Sequence, residues 1–193
     1  MAQKIVLIGS STGGPGHLKK LLLDVDINNC TIIIAQHMSL NFMDTFIQQI
    51  KDFFKSETLI NRIDKKVFIK SGVYVCTQNS IILPTQPLCI APYDGDIKTT
   101  YNPNVDMLFS SAAKITKLAD IMAILLTGIG DDGAKGLFEL YKAKAQCVAE
   151  NEESAIVYGM PKRAKELNPQ LLTLNLANIK LKLESFLKEN NNE

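Results

Sequence analysis

Short uninterrupted apolar runs alternate along this chain with longer segments in which apolar residues return every three or four positions. KIVLIG (4–9), TIIIAQ (31–36), IMAILLT (121–127) and QCVAE (146–150) are of the first kind. They predict strands covered on both faces, because a strand with one wet face would alternate. The second kind comprises PGHLKKLLLDV (15–25), LNFMDTFIQQIKDFF (40–54), NVDMLFSSAAKITK (104–117) and AKGLFELYKAKA (134–145), and predicts helices. Pro15 suits a first-turn position, and Phe42, Phe46, Ile50 and Phe53 are expected to form one buried stripe. The closing NIKLKLESFLKENNNE (178–193) predicts an amphipathic helix fraying, from about residue 180, into a polar tail. Between 57 and 100 the texture changes: TLINRI, KVFI, GVYVCT, SIILP and LCIAP are short, broken by Gly, Pro and Asn, and predict hairpins.

Continuous apolar strands separated by helices imply an α/β fold: a doubly wound, mostly parallel sheet with flanking helices, Rossmann-like in its three layers, plus a small antiparallel patch around 57–100. The length of 193 residues and 46% hydrophobic content fit one domain over 1–193. A formal net charge of +1 provides no overall field for nucleic acid or an anionic membrane. No apolar stretch approaches the roughly 20 residues that span a bilayer, and the N-terminus lacks a signal-peptide pattern, so a cytoplasmic protein is expected. Cys30, Cys76, Cys89 and Cys147 are widely separated, without the close spacing of a zinc or redox pair. They are expected to be buried, reduced and structural.

In doubly wound folds, ligands sit beyond the carboxyl ends of the strands. Three strand candidates run there into polar or glycine-rich sequence: GSSTGG after residue 8, QHM after residue 35 and TGIGDDG after residue 126. The last contains a literal G-x-G-x-x-G at Gly128, Gly130 and Gly133, with Glu150 about 20 residues on, which matches a dinucleotide fingerprint. Asp131 and Asp132 inside it argue against a pyrophosphate, since like charges at that range repel. GSSTGG lacks the lysine of a P-loop. It matches G-x-S-x-G between strand and helix, a turn that would lift Ser11 out at the top of the sheet, although a helix N-cap serine is the plainer alternative.

A serine needs a base to take its proton and a third group to orient that base. Of two histidines, His37 stands at the end of the second strand candidate. His17 reads as a surface or first-turn helix residue with no part in the chemistry. Asp131 and Asp132 follow the third strand end, giving chain order Ser, His, Asp. Asp24, Asp26, Asp94, Asp96 and Asp106 fall in connections or helix starts, where capping or solvation accounts for them.

IGSSTGG, AQHM, VDMLFSSAA, LLTGIGDDGAKGL and ESAIVYGMPKRA, in that order from about residue 4 to 165, resemble the catalytic domain of the chemotaxis protein-glutamate methylesterases, the CheB family. The resemblance implies a cytoplasmic serine hydrolase that demethylates glutamate methyl esters, and deamidates some glutamines, on the helical bundles of methyl-accepting chemotaxis receptors. By position it implies Ser11 as nucleophile, His37 as base, Asp132 as orienting acid, and backbone N–H groups near Thr12 and Ile129 as oxyanion donors. It implies no metal or cofactor, no nucleic-acid partner, no membrane insertion and a monomer. Relatives commonly carry a receiver domain ahead of this one; the chain starts a few residues before its first strand, so switching by phosphorylation in cis is not expected. Departures fall at Ser10 (often alanine), Ile129 (usually methionine), YVCTQNS, and YNPNVD in place of HRPSVD. They lie outside the triad and bear on substrate recognition. VYGMPKRA is assigned a structural role, as a helix interrupted by Pro161.

Overall fold

The computed structural model describes residues 3–27, 29–55 and 57–189. The elements run β1 (Gln3–Ser10), α1 (Gly14–Leu22), β2 (Cys30–Gln36), α2 (Leu40–Lys51), β3 (Ile60–Ile63), β4 (Val67–Phe68), β5 (Gly72–Cys76), β6 (Ser80–Leu83), β7 (Cys89–Pro92) and α3 (Val105–Ala113). They continue through β8 (Ala119–Leu125), α4 (Ala134–Lys142), β9 (Gln146–Glu150), α5 (Met160–Leu167), β10 (Leu172–Leu174) and α6 (Leu176–Lys188). Seven strands form a parallel sheet in the order β10-β9-β8-β1-β2-β5-β3. The chain leaves β1 toward β2 on one side and later returns to β8 on the other, so β1 marks the point where the winding reverses.

Because successive side chains point to opposite faces, each central strand feeds two cores. Val6, Ile8, Ile32, Ile34, Met122 and Ile124 pack with Leu18, Leu21, Phe46, Ile50, Ile179 and Leu183 of α1, α2 and α6. Ile5, Leu7, Ile33, Ala35, Ala123 and Leu125 pack on the other face with Leu108, Phe109, Leu137, Leu140 and Met160 of α3, α4 and α5. This double burial explains why the strands read as unbroken apolar runs.

Five details differ from expectation. Of the short segments in the 57–100 region, β4, β7 and β6 form the antiparallel sheet, but β3 and β5 join the parallel one. Every residue of β5 is buried, the mark of an inner strand, and the Gly and Asn around it disguised that run as a hairpin arm. On α2 the buried stripe is Met43, Phe46, Ile47 and Ile50, with Phe53 buried just beyond, whereas Phe42 faces outward. Pro161 sits in the first turn of α5 and opens that helix, where its missing N–H costs nothing. The short edge strand β10 had no signal long enough to register as a strand. At the other end, α6 continues through Lys188 with Leu183 and Phe186 buried, and the last four residues of the expected polar tail lie outside those described.

Candidate active site

The carboxyl ends of β2, β1 and β8 lie side by side, with Ser10 in register with Gln36 and Gly9 with Leu125. Beyond β1 the chain turns at once into α1. Gly13 makes that turn with φ +84°, a left-handed conformation that L side chains rarely adopt, and Ile156 fills the space where its Cβ would stand. Ser11 is therefore held between the last residue of the central strand and the first turn of a helix.

Two ties fix the Ser11 loop to its neighbours. On the β8 side, Ser11 N–H donates to Thr127 O (3.0 Å), and Thr127 Oγ1 donates to Thr12 O (2.9 Å). On the β2 side, His37 N–H donates to Ser10 O (2.9 Å) and the Gln36 amide spans the gap, its Nε2 donating to Ser11 O and to His37 O at 2.9 Å each. Buried Ser10 orients that amide by donating to Gln36 Oε1 (2.7 Å). The serine without an assigned role thus serves as the anchor of the amide that joins the two loops.

His37 Nε2 lies 2.7 Å from Asp132 Oδ2. With Nε2–H donating to the carboxylate, Nδ1 is left as the nitrogen able to accept a proton. Asp132 is buried, whereas its neighbour Asp131 is exposed. The Asp132 carboxylate also accepts Val105 N–H (2.7 Å), Asp106 N–H (2.9 Å) and Gly133 N–H (3.0 Å). Two of these belong to the first turn of α3, whose N-cap Asn104 accepts Met107 N–H at 2.7 Å. Asp132 therefore closes the N-terminus of α3 while it holds His37, and the positive end of that helix favours its negative charge.

Tyr101 stacks on His37 with ring centroids 4.7 Å apart and planes 4° from parallel. Gly130, with φ +93°, passes so close beneath the Tyr101 hydroxyl that no Cβ would fit. Tyr101 opens the YNPNVD departure, and expecting that segment to matter only for recognition missed its contact with the base. Nothing local signals it, since the contact exists only once the loop before α3 folds over β2. Asp106 accepts Gly136 N–H (2.7 Å). Burial pushes its carboxyl up to about 6, the Gly136 N–H opposes that shift and neighbouring Asp132 adds to it.

Ser11 N–H and Gly128 N–H are committed to the carbonyls of Thr127 and Val157. The next residues on each loop, Thr12 and Ile129, are both exposed at the mouth of the site. Their N–H groups are the candidates for stabilising an oxyanion.

His17 is in the first turn of α1, as expected, but it is buried rather than at the surface. Its Nδ1 lies 3.0 Å from Glu150 Oε1. Glu150 also accepts Thr127 N–H (2.9 Å) and the Ser154 hydroxyl (2.8 Å), so the acid that completes the nucleotide-like pattern is occupied inside the protein. All four cysteines are buried and free, and burial pushes the Cys76 and Cys147 thiols up to about 12. Among the described residues, no cluster of three or more His, Cys, Asp or Glu could hold a metal ion.

Comparison with known proteins agrees with this architecture. The family model described as CheB methylesterase matches residues 6–183. A protein-glutamate methylesterase/protein-glutamine glutaminase of Rhodospirillum rubrum is 32% identical over 165 residues, which is 84% of this chain and 45% of that protein. One from Saccharophagus degradans is 36% identical over 162 residues, 82% of this chain and 43% of the relative. The chain thus spans less than half the length of these relatives. The crystal structure of the Thermotoga maritima CheB methylesterase catalytic domain superposes with a TM-score of 0.86 at 28% identity, covering 96% of this chain and 99% of that one.

Proposed function

The chain belongs to the CheB methylesterase family, and from that premise we propose that it hydrolyses γ-glutamyl methyl esters on the cytoplasmic helices of chemotaxis receptors, with Ser11 as nucleophile, His37 as base and Asp132 as orienting acid. The observation that carries the reading is the 2.7 Å contact between His37 Nε2 and buried Asp132, on a loop tied to Ser11 through Gln36. Family names alone leave the residue roles open; this contact supplies a base already aimed by a carboxylate.

Ser11 Oγ attacks the ester carbonyl as its proton passes to His37 Nδ1, and the Thr12 and Ile129 N–H groups receive the oxyanion. The imidazolium so formed faces Asp132 at one edge and the Tyr101 ring on one face, and both favour the charge. Collapse expels methoxide, which takes the His37 proton and leaves as methanol. A water molecule, deprotonated by His37, then attacks the acyl-serine, and the proton returns to Ser11 Oγ as the glutamate is released. A glutamine side chain entering the same steps would release ammonia, so deamidation needs no additional group. We assign the enzyme to the cytoplasm, with residues 1–193 as one catalytic domain, acting as a monomer without metal, cofactor or nucleic acid. Among the described residues no helix is long and apolar enough to cross a membrane.

Methanol release from a methylated cytoplasmic receptor fragment tests the reading. The wild-type chain is expected to be active, and folded Ser11→Ala and His37→Ala to be silent. Wild-type rates in either variant would overturn the assignment.

A further inference from the structure

Behind the Ser11 loop lies a buried polar cluster that the chemistry above does not use. His17 on α1 and Glu150 at the end of β9 are 3% and 0% exposed. His17 Nδ1 lies 3.0 and 3.1 Å from the two oxygens of the Glu150 carboxylate. Through Oε2 that carboxylate accepts Thr127 N–H at 2.9 Å. Through Oε1 it accepts the Ser154 hydroxyl at 2.8 Å, and the Ser154 oxygen in turn accepts Leu176 N–H at 3.0 Å.

Thr127 links this cluster to the loop. Its N–H is held by Glu150, its carbonyl accepts Ser11 N–H (3.0 Å), and its hydroxyl donates to Thr12 O (2.9 Å) while accepting Val157 N–H (2.9 Å). Any displacement of Thr127 therefore displaces the backbone of both Ser11 and Thr12, which carry the proposed nucleophile and one proposed oxyanion donor.

We propose that His17 and Glu150 are positioning residues for the nucleophile: the buried pair sets Thr127, and Thr127 sets the Ser11–Thr12 backbone. Stability is a poor reason for such a pair, because replacing a buried ion pair by apolar side chains is often neutral or stabilising. Geometry is a better one. A carboxylate that accepts from α1, from the loop after β8 and from the segment after β9 holds three parts of the chain at fixed separation. The proposal rests on Ser11 being the nucleophile.

The experiment measures kcat and KM for methanol release, together with the rate at which a fluorophosphonate probe labels Ser11, on the full chain at a temperature where circular dichroism shows each variant folded. His17→Ala leaves the Glu150 charge without its histidine partner. It is expected to lower kcat and the labelling rate about tenfold to a hundredfold, with KM within about twofold, since the buried pair has no surface with which to touch a substrate. Adding Glu150→Gln removes that stranded charge, and the amide oxygen, placed where Glu150 Oε2 now lies, keeps an acceptor for Thr127 N–H, so the double variant is expected to recover most of the lost rate. Lys20→Ala, on the exposed side of α1, is the control for unchanged rate. Folded His17→Ala with wild-type kcat and labelling overturns the proposal, even if its melting temperature falls, because the pair would then be merely structural. If His17→Ala does not fold, Thr127→Val decides: it keeps both backbone bonds of Thr127 and removes the hydroxyl's bonds to Thr12 O and Val157 N–H. A reduced rate then upholds the proposal, and a wild-type rate overturns it. A wild-type chain that neither releases methanol nor labels at Ser11 overturns the reading of Ser11 itself, an outcome distinct from active wild type with unaffected variants.

Discussion

Two aspartates show how differently adjacent carboxylates behave once buried. Asp132 accepts from His37 and three backbone N–H groups, so Asp132→Asn puts an amide nitrogen where at least one donor now points. Loss of the tautomer-fixing carboxylate is expected to lower kcat by on the order of 10⁴, and the stranded donors to cost roughly 1–3 kcal/mol of stability; esterase kinetics and urea unfolding check the two effects. Asp106 works the other way. Its folded value of about 6 lies above the ordinary 3.8, so it favours folding most below about pH 4, and that contribution is lost as pH rises through 6. Asp106→Asn keeps an acceptor for Gly136 N–H and is expected to raise stability at pH 7.5 by the order of 1–3 kcal/mol, a gain that disappears in urea titrations below about pH 4. The placement of Ser11, His37 and Asp132 beyond neighbouring strand ends was legible, because each follows an apolar run. Gln36, Tyr101 and Glu150 were not, because their work is defined by a partner: Gln36 reads as the last strand residue, and Glu150 as half of a nucleotide pattern.

The turn from β1 into α1 decides where Ser11 points. Gly13→Ala forces a Cβ into the left-handed region and to within 2.9 Å of Ile156, at a cost of roughly 1–2 kcal/mol. The expected result is a melting temperature lower by roughly 2–8 °C and a reduced kcat; an unchanged melting temperature would mean that the loop has room to rearrange. Four of the five inner strands and the major helices could be read directly from apolar periodicity, since both faces of the sheet are covered and the helices each bury one stripe. The region from β3 to β7 was less legible. Two parallel sheet strands and a three-stranded antiparallel sheet interleave there within one stretch of short runs, and only long-range pairing tells them apart.

At the scale of the whole molecule, the site is assembled from segments that meet only in the finished sheet. A chain ending at Leu118, before β8, keeps Ser11 and His37 but lacks Asp132 and the Thr127 carbonyl that accepts Ser11 N–H. It is expected to be digested rapidly by protease and to release no methanol, whereas the full chain resists and is active. The reversal of winding at β1 also has a consequence for synthesis. β1 leaves the ribosome well before β8, which begins at Ala119 and alone closes its second flank. At about 5–20 residues per second, that leaves a central strand of the sheet, and the serine at its tip, uncovered on one side for on the order of ten seconds. Chaperones in the cell therefore have a defined interval in which to occupy the open flank of β1, and Ser11, His37 and Asp132 come together only when β8 docks.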